Sequence, residues 1–207
     1  MVAELTWDPD QEVDDLIEDY FLHYWQDLAA DARMVADLIN AANPDLSYWA
    51  NIGGGANIDK PPLTSQKRRE HRQSINAAMT KYPQAIKLIE EMRSKLANSP
   101  HLSRRVRLLR AATTAAYQLA QIHAELLAAD ELVAAAQELD LKGVSMHLQR
   151  AQEAVTRAAA VLATATTYQT PALMRQGVLW QETLAVKNIW PSVIETWQNY
   201  IQQQGDH

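Results

Sequence analysis

The sequence predicts an all-α fold, a bundle of five to seven mostly antiparallel helices with one long loop at about residues 43–63. Apolar residues recur at helical spacing along most of the chain, and no segment alternates apolar and polar residues as a half-buried strand does. Only 6 Gly and 8 Pro occur in 207 residues, which is too few for a β fold with many turns. Because this length suits one domain, we expect a single helical domain over residues 1–207.

The first helix is predicted to begin at Asp8. An aspartate is a good N-cap, Pro9 fits the first turn, and the acidic residues that follow favour the positive end of the helix dipole. The apolar stripe of this helix continues from Val13 to about Asn40. The loop at residues 43–63 comes next, because a glycine triplet and two proline-containing breaks interrupt the periodicity there.

A basic helix is predicted after this loop, capped by Thr64 or Ser65. Pro83 is expected to end or kink it, because proline removes a backbone hydrogen bond, and a further helical stretch then continues to about Ala97.

A long helix is predicted from Ser103, and Leu141-Lys142-Gly143 is predicted to form the short turn to an antiparallel neighbour. That neighbour carries a seam rich in small residues at alternating steps of four and three, which indicates close helix packing. The seam consists of Val144, Leu148, Ala151, Val155, Ala158, Leu162 and Ala165. The last helix follows Trp190-Pro191 and has an apolar stripe of its own.

The net charge of −6 hides three unequal segments. Residues 1–60 hold 13 acidic and 2 basic side chains (−11), residues 61–110 hold 12 basic and 3 acidic (+9), and the remainder holds 9 acidic and 5 basic (−4). One interpretation is that the acidic first helix lies near the basic segment and offsets its charge. The alternative is a polyanion site. Its candidate residues are Lys67, Arg68, Arg69, Arg72, Arg104, Arg105, Arg107 and Arg110.

No catalytic, cofactor or metal motif is found, so we expect none of the three in this chain. The absence of cysteine excludes disulfides, thiolate metal sites and thiol nucleophiles. The six histidines lack the Glu-x-x-His pairing of a di-iron bundle, and His123 is interpreted as a satisfied core histidine. The adjacent carboxylates of Asp130-Glu131 are interpreted as a solvated helix face. No signal peptide or membrane span is predicted, and the sequence assigns no compartment.

The long loop contains the predicted ligand-binding residues. Aromatic faces flanked by amides can bind sugars by stacking and hydrogen bonding, and this pattern predicts a carbohydrate site at Tyr48, Trp49, Asn51 and Asn57. The alternative is that Tyr48 and Trp49 fold back over the bundle.

Residues 5–21, LTWDPDQEVDDLIEDYF, resemble the start of the helical region that follows the catalytic barrel in hexosaminidase-like and α-glucuronidase-like bacterial glycoside hydrolases. The pattern is a Trp, an Asn or Asp, a Pro, a spaced acidic stretch and an aromatic helix ending in Tyr-Tyr-Gly. This sequence has Tyr24-Trp25-Gln26 at that end and therefore lacks the glycine. The helix openings at residues 62–64 and 104–110 are similar to later helices of that region.

The resemblance implies a non-catalytic helical accessory domain of a carbohydrate-active protein. The family's catalytic carboxylates lie in a barrel of ~250 residues, which this chain does not contain, so no catalytic residue is carried over. We expect an apolar barrel-facing surface, with Trp7, Trp180 and Trp190 as its candidates.

The alternative function is a self-standing helical-bundle interaction or assembly protein without enzymatic activity. The expected partner is accordingly a catalytic barrel domain or a second copy of the chain, with carbohydrate as a further ligand. Nucleic acid and membrane are not expected as partners, and whether the protein belongs to an enzyme stays open.

The carbohydrate prediction is tested by Trp49→Ala on a glycan array. Loss of one stacking ring is expected to weaken binding about fivefold to tenfold. Equal binding by the variant and the unchanged chain, with equal thermal unfolding midpoints, would exclude Trp49 as a binding residue.

Overall fold

The computed structural model describes residues 12–42, 63–96, 99–135, 140–166 and 189–205. Within these ranges the chain forms α-helices and one 3₁₀ turn and contains no strand, which confirms the all-α prediction. The elements are α1 (Val13–Trp25), a 3₁₀ turn (Gln26–Leu28), α2 (Ala29–Ala42), α3 (Ser65–Ser94), α4 (Pro100–Ala135), α5 (Leu141–Thr166) and α6 (Trp190–Gly205).

Helices that follow one another in the sequence are neighbours in space. The most extensive contact joins α4 to α5, followed by those of α3 with α4 and of α2 with α3. Ion pairs show that α3 and α4 are antiparallel: Arg68 near the start of α3 bonds to Asp130 near the end of α4, and Glu90 near the end of α3 pairs with Arg110. Helix α6 packs on α5, while α1 contacts mainly α2 and the 3₁₀ turn.

The apolar core is divided between two main clusters. The first joins α4, α5 and α6 around Trp190 and Trp197, and the second joins α1, α2, α3 and the start of α4 around Trp25 and Ile89. Trp190 is only 1% exposed, so its predicted place on an apolar outer surface is wrong. The reason is that α6 turns this side chain inward, into the groove beside α4 and α5. Trp7 and Trp180 lie outside the described residues.

Helices α4 and α5 meet along the predicted seam of small residues. Ala151, Ala154 and Ala158 are fully buried, and the seam prediction is confirmed at every position whose burial is described, which leaves out Ala165. Two polar pairs flank the seam and show that the helices are antiparallel. The Glu125 carboxylate contacts His147 Nδ1 at 2.6 Å and the Arg157 guanidinium donates to Gln118 at 2.8 Å.

Within residues 12–42, the first predicted helix is divided into two helices. Helix α1 begins at Val13 rather than at Asp8, because Glu12 is extended (φ −64°, ψ 138°); Asp8 and Pro9 lie outside the described residues. The chain breaks at Gln26, whose φ of 52° is in the left-handed region. The apolar periodicity of the sequence does not reveal this break, because helical spacing continues on both sides of Gln26.

Helix α3 is capped by Thr64, as expected, and continues past Pro83. The Thr64 hydroxyl accepts the Lys67 N–H at 3.3 Å, and the helix runs without interruption from Ser65 to Ser94. Tyr82 and Ala85 are buried on either side of Pro83. Packing on both sides therefore outweighs the hydrogen bond that proline removes. Of the two predicted outcomes, an end of the helix at Pro83 is wrong, and a kink there stays a prediction.

Two further helix starts differ from the sequence prediction. Helix α4 begins at Pro100 rather than at Ser103, since proline fits the first helical position. Leu141-Lys142-Gly143 is the first turn of α5 and not a connecting turn. Its start is fixed by Asp140, whose Oδ1 accepts the Gly143 N–H at 2.9 Å.

Ala158→Leu is expected to lower the free energy of unfolding by about 1–3 kcal/mol, because a larger side chain overpacks the α4–α5 seam. The measurement is urea denaturation followed by circular dichroism. Ala160→Leu is the matched control: its position on α5 is exposed, and the expected change is within about 0.5 kcal/mol. Equal changes for the two variants would contradict the seam as the tightly packed interface.

Candidate functional site

The four predicted carbohydrate-binding residues, Tyr48, Trp49, Asn51 and Asn57, lie outside the described residues, so that site stays a prediction. The described residues instead present three groups of side chains with functional interest. These are the exposed apolar residues of α1, the basic side chains of α3 and α4, and a buried aromatic cluster of His71, His123 and Trp190.

Exposed apolar side chains are concentrated on α1. In the described ranges, the large hydrophobic residues that are exposed are Val13, Tyr20, Leu22, Tyr24, Met34 and Met146. The first four lie on α1 with exposed fractions of 38–55%, and Met34 lies on the adjoining α2. We call Val13, Tyr20, Leu22, Tyr24 and Met34 the α1 surface. A helix with apolar residues on several sides is normally buried, and α1 packs mainly on one neighbour.

Two tyrosines and an arginine form an ordered stack at the end of α1. The rings of Tyr20 and Tyr24 stack with centroids 5.3 Å apart and planes 13° from parallel. The Arg105 guanidinium carbon lies 3.8 Å from the Tyr24 ring centroid, and the same side chain donates to the Tyr24 carbonyl oxygen. Desolvation and the nearby Tyr24 raise the pKa of Tyr20, against the opposing effect of Arg105.

A hollow of about 400 Å³ lies beside Leu22, between α1 and α2. Its lining residues are Asp14, Glu18, Phe21, Leu22, Ala29, Ala30 and Arg33. The Arg33 guanidinium lies over the Phe21 ring at 5.6 Å and occupies one side of the hollow. The two carboxylates give the hollow a net negative charge around an apolar centre.

Much of the basic segment is paired within the bundle. Arg72 bonds to Glu131 at 2.6 Å on α4, and Arg68 also reaches α4, whereas Lys95 reaches back to Asp31 on α2 at 2.7 Å. The expectation that the acidic first helix offsets these bases is therefore met only in part, since α4 supplies the carboxylates for the start of α3. The charge segments of the sequence could not reveal this, because the α4 partners are about 60 residues away along the chain.

Asp130 is fully buried, so its interpretation as part of a solvated helix face is wrong. Its carboxylate accepts the backbone N–H of Leu63 at 2.7 Å and a bond from Arg68 at 3.1 Å. Burial raises the pKa of Asp130, and these two bonds oppose that shift. The sequence does contain a sign of this burial. Asp130 lies four residues after Leu126 and therefore falls within the apolar stripe of α4. Through these two bonds, the Asp130 carboxylate connects Leu63 and the start of α3 to the end of α4.

His71, His123 and Trp190 form a buried aromatic cluster. The two imidazoles stack with centroids 5.8 Å apart, and the Trp190 ring meets His123 edge-on at 4.5 Å. Among the described residues neither ring nitrogen of His123 has a hydrogen-bond partner. Burial, with a smaller effect of His71, lowers the pKa of His123 to about 3, so its ring is neutral at pH 7. His123 is thus a core histidine as predicted, but its nitrogens are not satisfied within the described chain.

The described side chains contain no group of three or more His, Asp or Glu residues that would hold a metal ion. None of the described helices is long and apolar enough to cross a membrane.

Comparison of the chain with protein-family models, curated proteins and solved structures finds no match. The fold defines the class of protein, an all-α helical bundle. What the protein does is accordingly inferred from its surfaces.

His123→Phe is expected to reduce the loss of stability at acid pH. The pKa of His123 is about 3 in the folded state against an ordinary value of 6.5, so unfolding takes up a proton between these values. The free energy of unfolding therefore falls by up to about 1.4 kcal/mol for each pH unit below 6.5, whereas His123 has no such effect at higher pH. Phenylalanine keeps a ring against Trp190 but does not titrate.

The measurement is urea denaturation of both proteins at pH 7 and pH 5. The unchanged chain should lose more stability between these two values than His123→Phe does. Equal losses would show that His123 is not the group that links folding to this pH range.

Proposed function

We propose that the chain is a non-catalytic helical accessory domain of a carbohydrate-active protein, which docks on a catalytic barrel through the α1 surface. The observation that carries this proposal is the concentration of exposed large apolar residues on α1 and the adjoining α2. Burial of a fully exposed apolar side chain is worth about 1.5–3 kcal/mol, and these side chains, which are 38–55% exposed, would gain roughly half of that each. Contact with a partner domain would therefore be favourable at this surface.

The hollow beside Leu22 indicates the chemistry of the partner surface. Asp14 and Glu18 border its apolar lining on the α1 side and Arg33 on the α2 side, so an apolar side chain with a lysine or arginine facing α1 is complementary. The predicted docking contact is thus an apolar centre with a charged rim.

The family resemblance involves the same segment of the chain. The motif spans residues 5–21, and its second half is the first two turns of α1, including Val13 and Tyr20. The segment that resembles a barrel-associated helix is therefore also the segment whose apolar residues are exposed. This coincidence favours a catalytic barrel as the partner.

The second candidate function is a self-standing assembly protein, in which two copies pair through α1. Val13, Tyr20 and Tyr24 are spaced by seven and four residues, which places them on one stripe of the helix. Such a stripe is typical of a helix–helix interface between identical chains.

The two candidates are separated by the upstream coding sequence and by variants of the α1 surface. For the accessory domain, an in-frame barrel is expected upstream. In the joined protein, Leu22→Ser should weaken domain docking about tenfold or more, because one buried apolar side chain is lost. Limited proteolysis between the domains measures the docking. Met146→Ser, which removes an exposed apolar side chain on α5, is the matched control and should change nothing.

Sedimentation velocity of the 207-residue chain gives the second readout. A discrete dimer that Tyr20→Ser dissociates and Met146→Ser preserves would favour the assembly protein. A monomer, combined with an upstream sequence that encodes no barrel, would contradict both candidates.

A further inference from the structure

A second surface feature lies at the end of the bundle where α3 ends, α4 begins and α5 ends. It is a cleft of about 650 Å³, which is within the range of small-molecule sites. Its lining residues are Arg93, Leu96, Ser103, Val106, Arg107, Arg110, Ala111, Thr114, Val161 and Thr164. We call it the arginine cleft. It lies on different helices from the α1 surface and does not depend on the proposed docking.

The apolar part of the cleft lies at the junction of the two main core clusters. Leu96 and Val106 pack in the cluster of α1 to α4, and Ala111 and Val161 pack against the cluster of α4 to α6. The gap between the clusters is therefore walled by hydrocarbon on both sides. Such a gap favours an apolar ligand group, because it removes that group from water.

The polar part of the cleft is strongly basic. Arg93, Arg107 and Arg110 line it, and the side chains of Arg93 and Arg110 are 61% and 50% exposed. The Glu90 carboxylate bonds to both Arg93 and Arg110 and so offsets part of this charge. Five guanidinium donors per arginine leave donors beyond those two bonds.

The helix segments that line the cleft contain few acidic residues, although Asp31 of α2 bonds to Lys95 beside the lining residue Leu96. Residues 92–124 contain six lysine or arginine residues and no aspartate or glutamate, and residues 154–166 of α5 contain Arg157 and no acidic residue. Three arginines line the cleft, and the carboxylate bonded to two of them is that of Glu90. Ser103 and Thr114 add hydroxyl groups to the lining.

We propose that the arginine cleft binds a small amphipathic anion, with a carboxylate or phosphate head group at the arginines and a hydrocarbon body against Leu96, Val106, Ala111 and Val161. The guanidinium groups match the head group, since arginine forms charge-assisted hydrogen bonds to both carboxylate and phosphate. The apolar walls of the cleft suit the hydrocarbon body of the ligand, because they remove it from water.

The shape of the site favours a small molecule over a polyanion. A polyanion needs an extended basic surface, but Arg68 and Arg72 at the other end of α3 are paired with carboxylates of α4. The arginines of the cleft instead lie around a concave gap with apolar walls.

The test uses decanoate and decyl phosphate as probes, with decanol and acetate as controls for the head group and the body. Isothermal titration calorimetry on the full chain measures affinity, and backbone amide shifts of Val106 and Val161 report the location. Both decyl anions are expected to bind at least about tenfold more tightly than decanol or acetate, because only they satisfy both parts of the cleft.

Arg110→Gln should weaken decanoate binding about tenfold. The matched control, Arg150→Gln, removes one exposed charge on α5 that does not line the cleft, and it should change affinity less than about twofold. Thermal unfolding of both variants identifies any effect of misfolding. If Arg110→Gln does not fold, Arg107→Gln takes its place with the same expected loss.

Four results would overturn the proposal. They are no binding of either decyl anion, equal affinity for decanol, equal weakening by the Arg110 and Arg150 variants, and shifts that map away from Val106 and Val161. Binding of a heparin fragment at Arg110 without binding of decanoate would also overturn it, in favour of a polyanion surface. The two probes also distinguish the head groups. Binding of decyl phosphate alone would identify a phosphate ligand, and equal binding of decanoate would show that the cleft accepts either anion.

Discussion

The close approach of α4 and α5 is the constraint on which the other helices depend. Buried alanines at positions 151, 154 and 158 let α5, of 26 residues, pack closely on α4, of 36 residues, along much of its length. Helix α6 then covers the groove beside the pair with Trp190 and Trp197. Helix α3 covers the other side of α4, so that α4 has buried residues around most of its circumference.

A helix enclosed in this way can keep polar side chains only if they are paired or uncharged. Asp130 is paired, because it accepts the Leu63 N–H and a bond from Arg68. His123 is uncharged, because burial lowers its pKa to about 3. The antiparallel arrangement of α3 and α4 also sets part of the charge distribution of the bundle. Bases at the start of α3 meet carboxylates near the end of α4, and this contact depends on the antiparallel arrangement.

The two surfaces with functional interest lie where this packing ends. Helix α1 contacts mainly α2, so the apolar residues on its other sides remain exposed and define the proposed docking surface. The arginine cleft is lined by residues of both core clusters, and the start of α4 contributes Arg107 and Arg110 to it. One surface is apolar with an acidic rim and the other is a basic gap with apolar walls. They therefore suit different partners, a protein domain in the first case and a small anion in the second.

The sequence by itself determined the helical class, the α4–α5 seam and the Thr64 cap, because each depends on local spacing or on one side chain and its neighbours. It did not determine the break at Gln26, the continuity of α3 through Pro83 or the burial of Asp130 and Trp190. Those features depend on packing between segments far apart in the chain, which outweighs local propensity. The tertiary structure also decided which bases are paired and which line a cleft. Charge along the sequence counts side chains, but only the fold sets the distance from each base to a carboxylate.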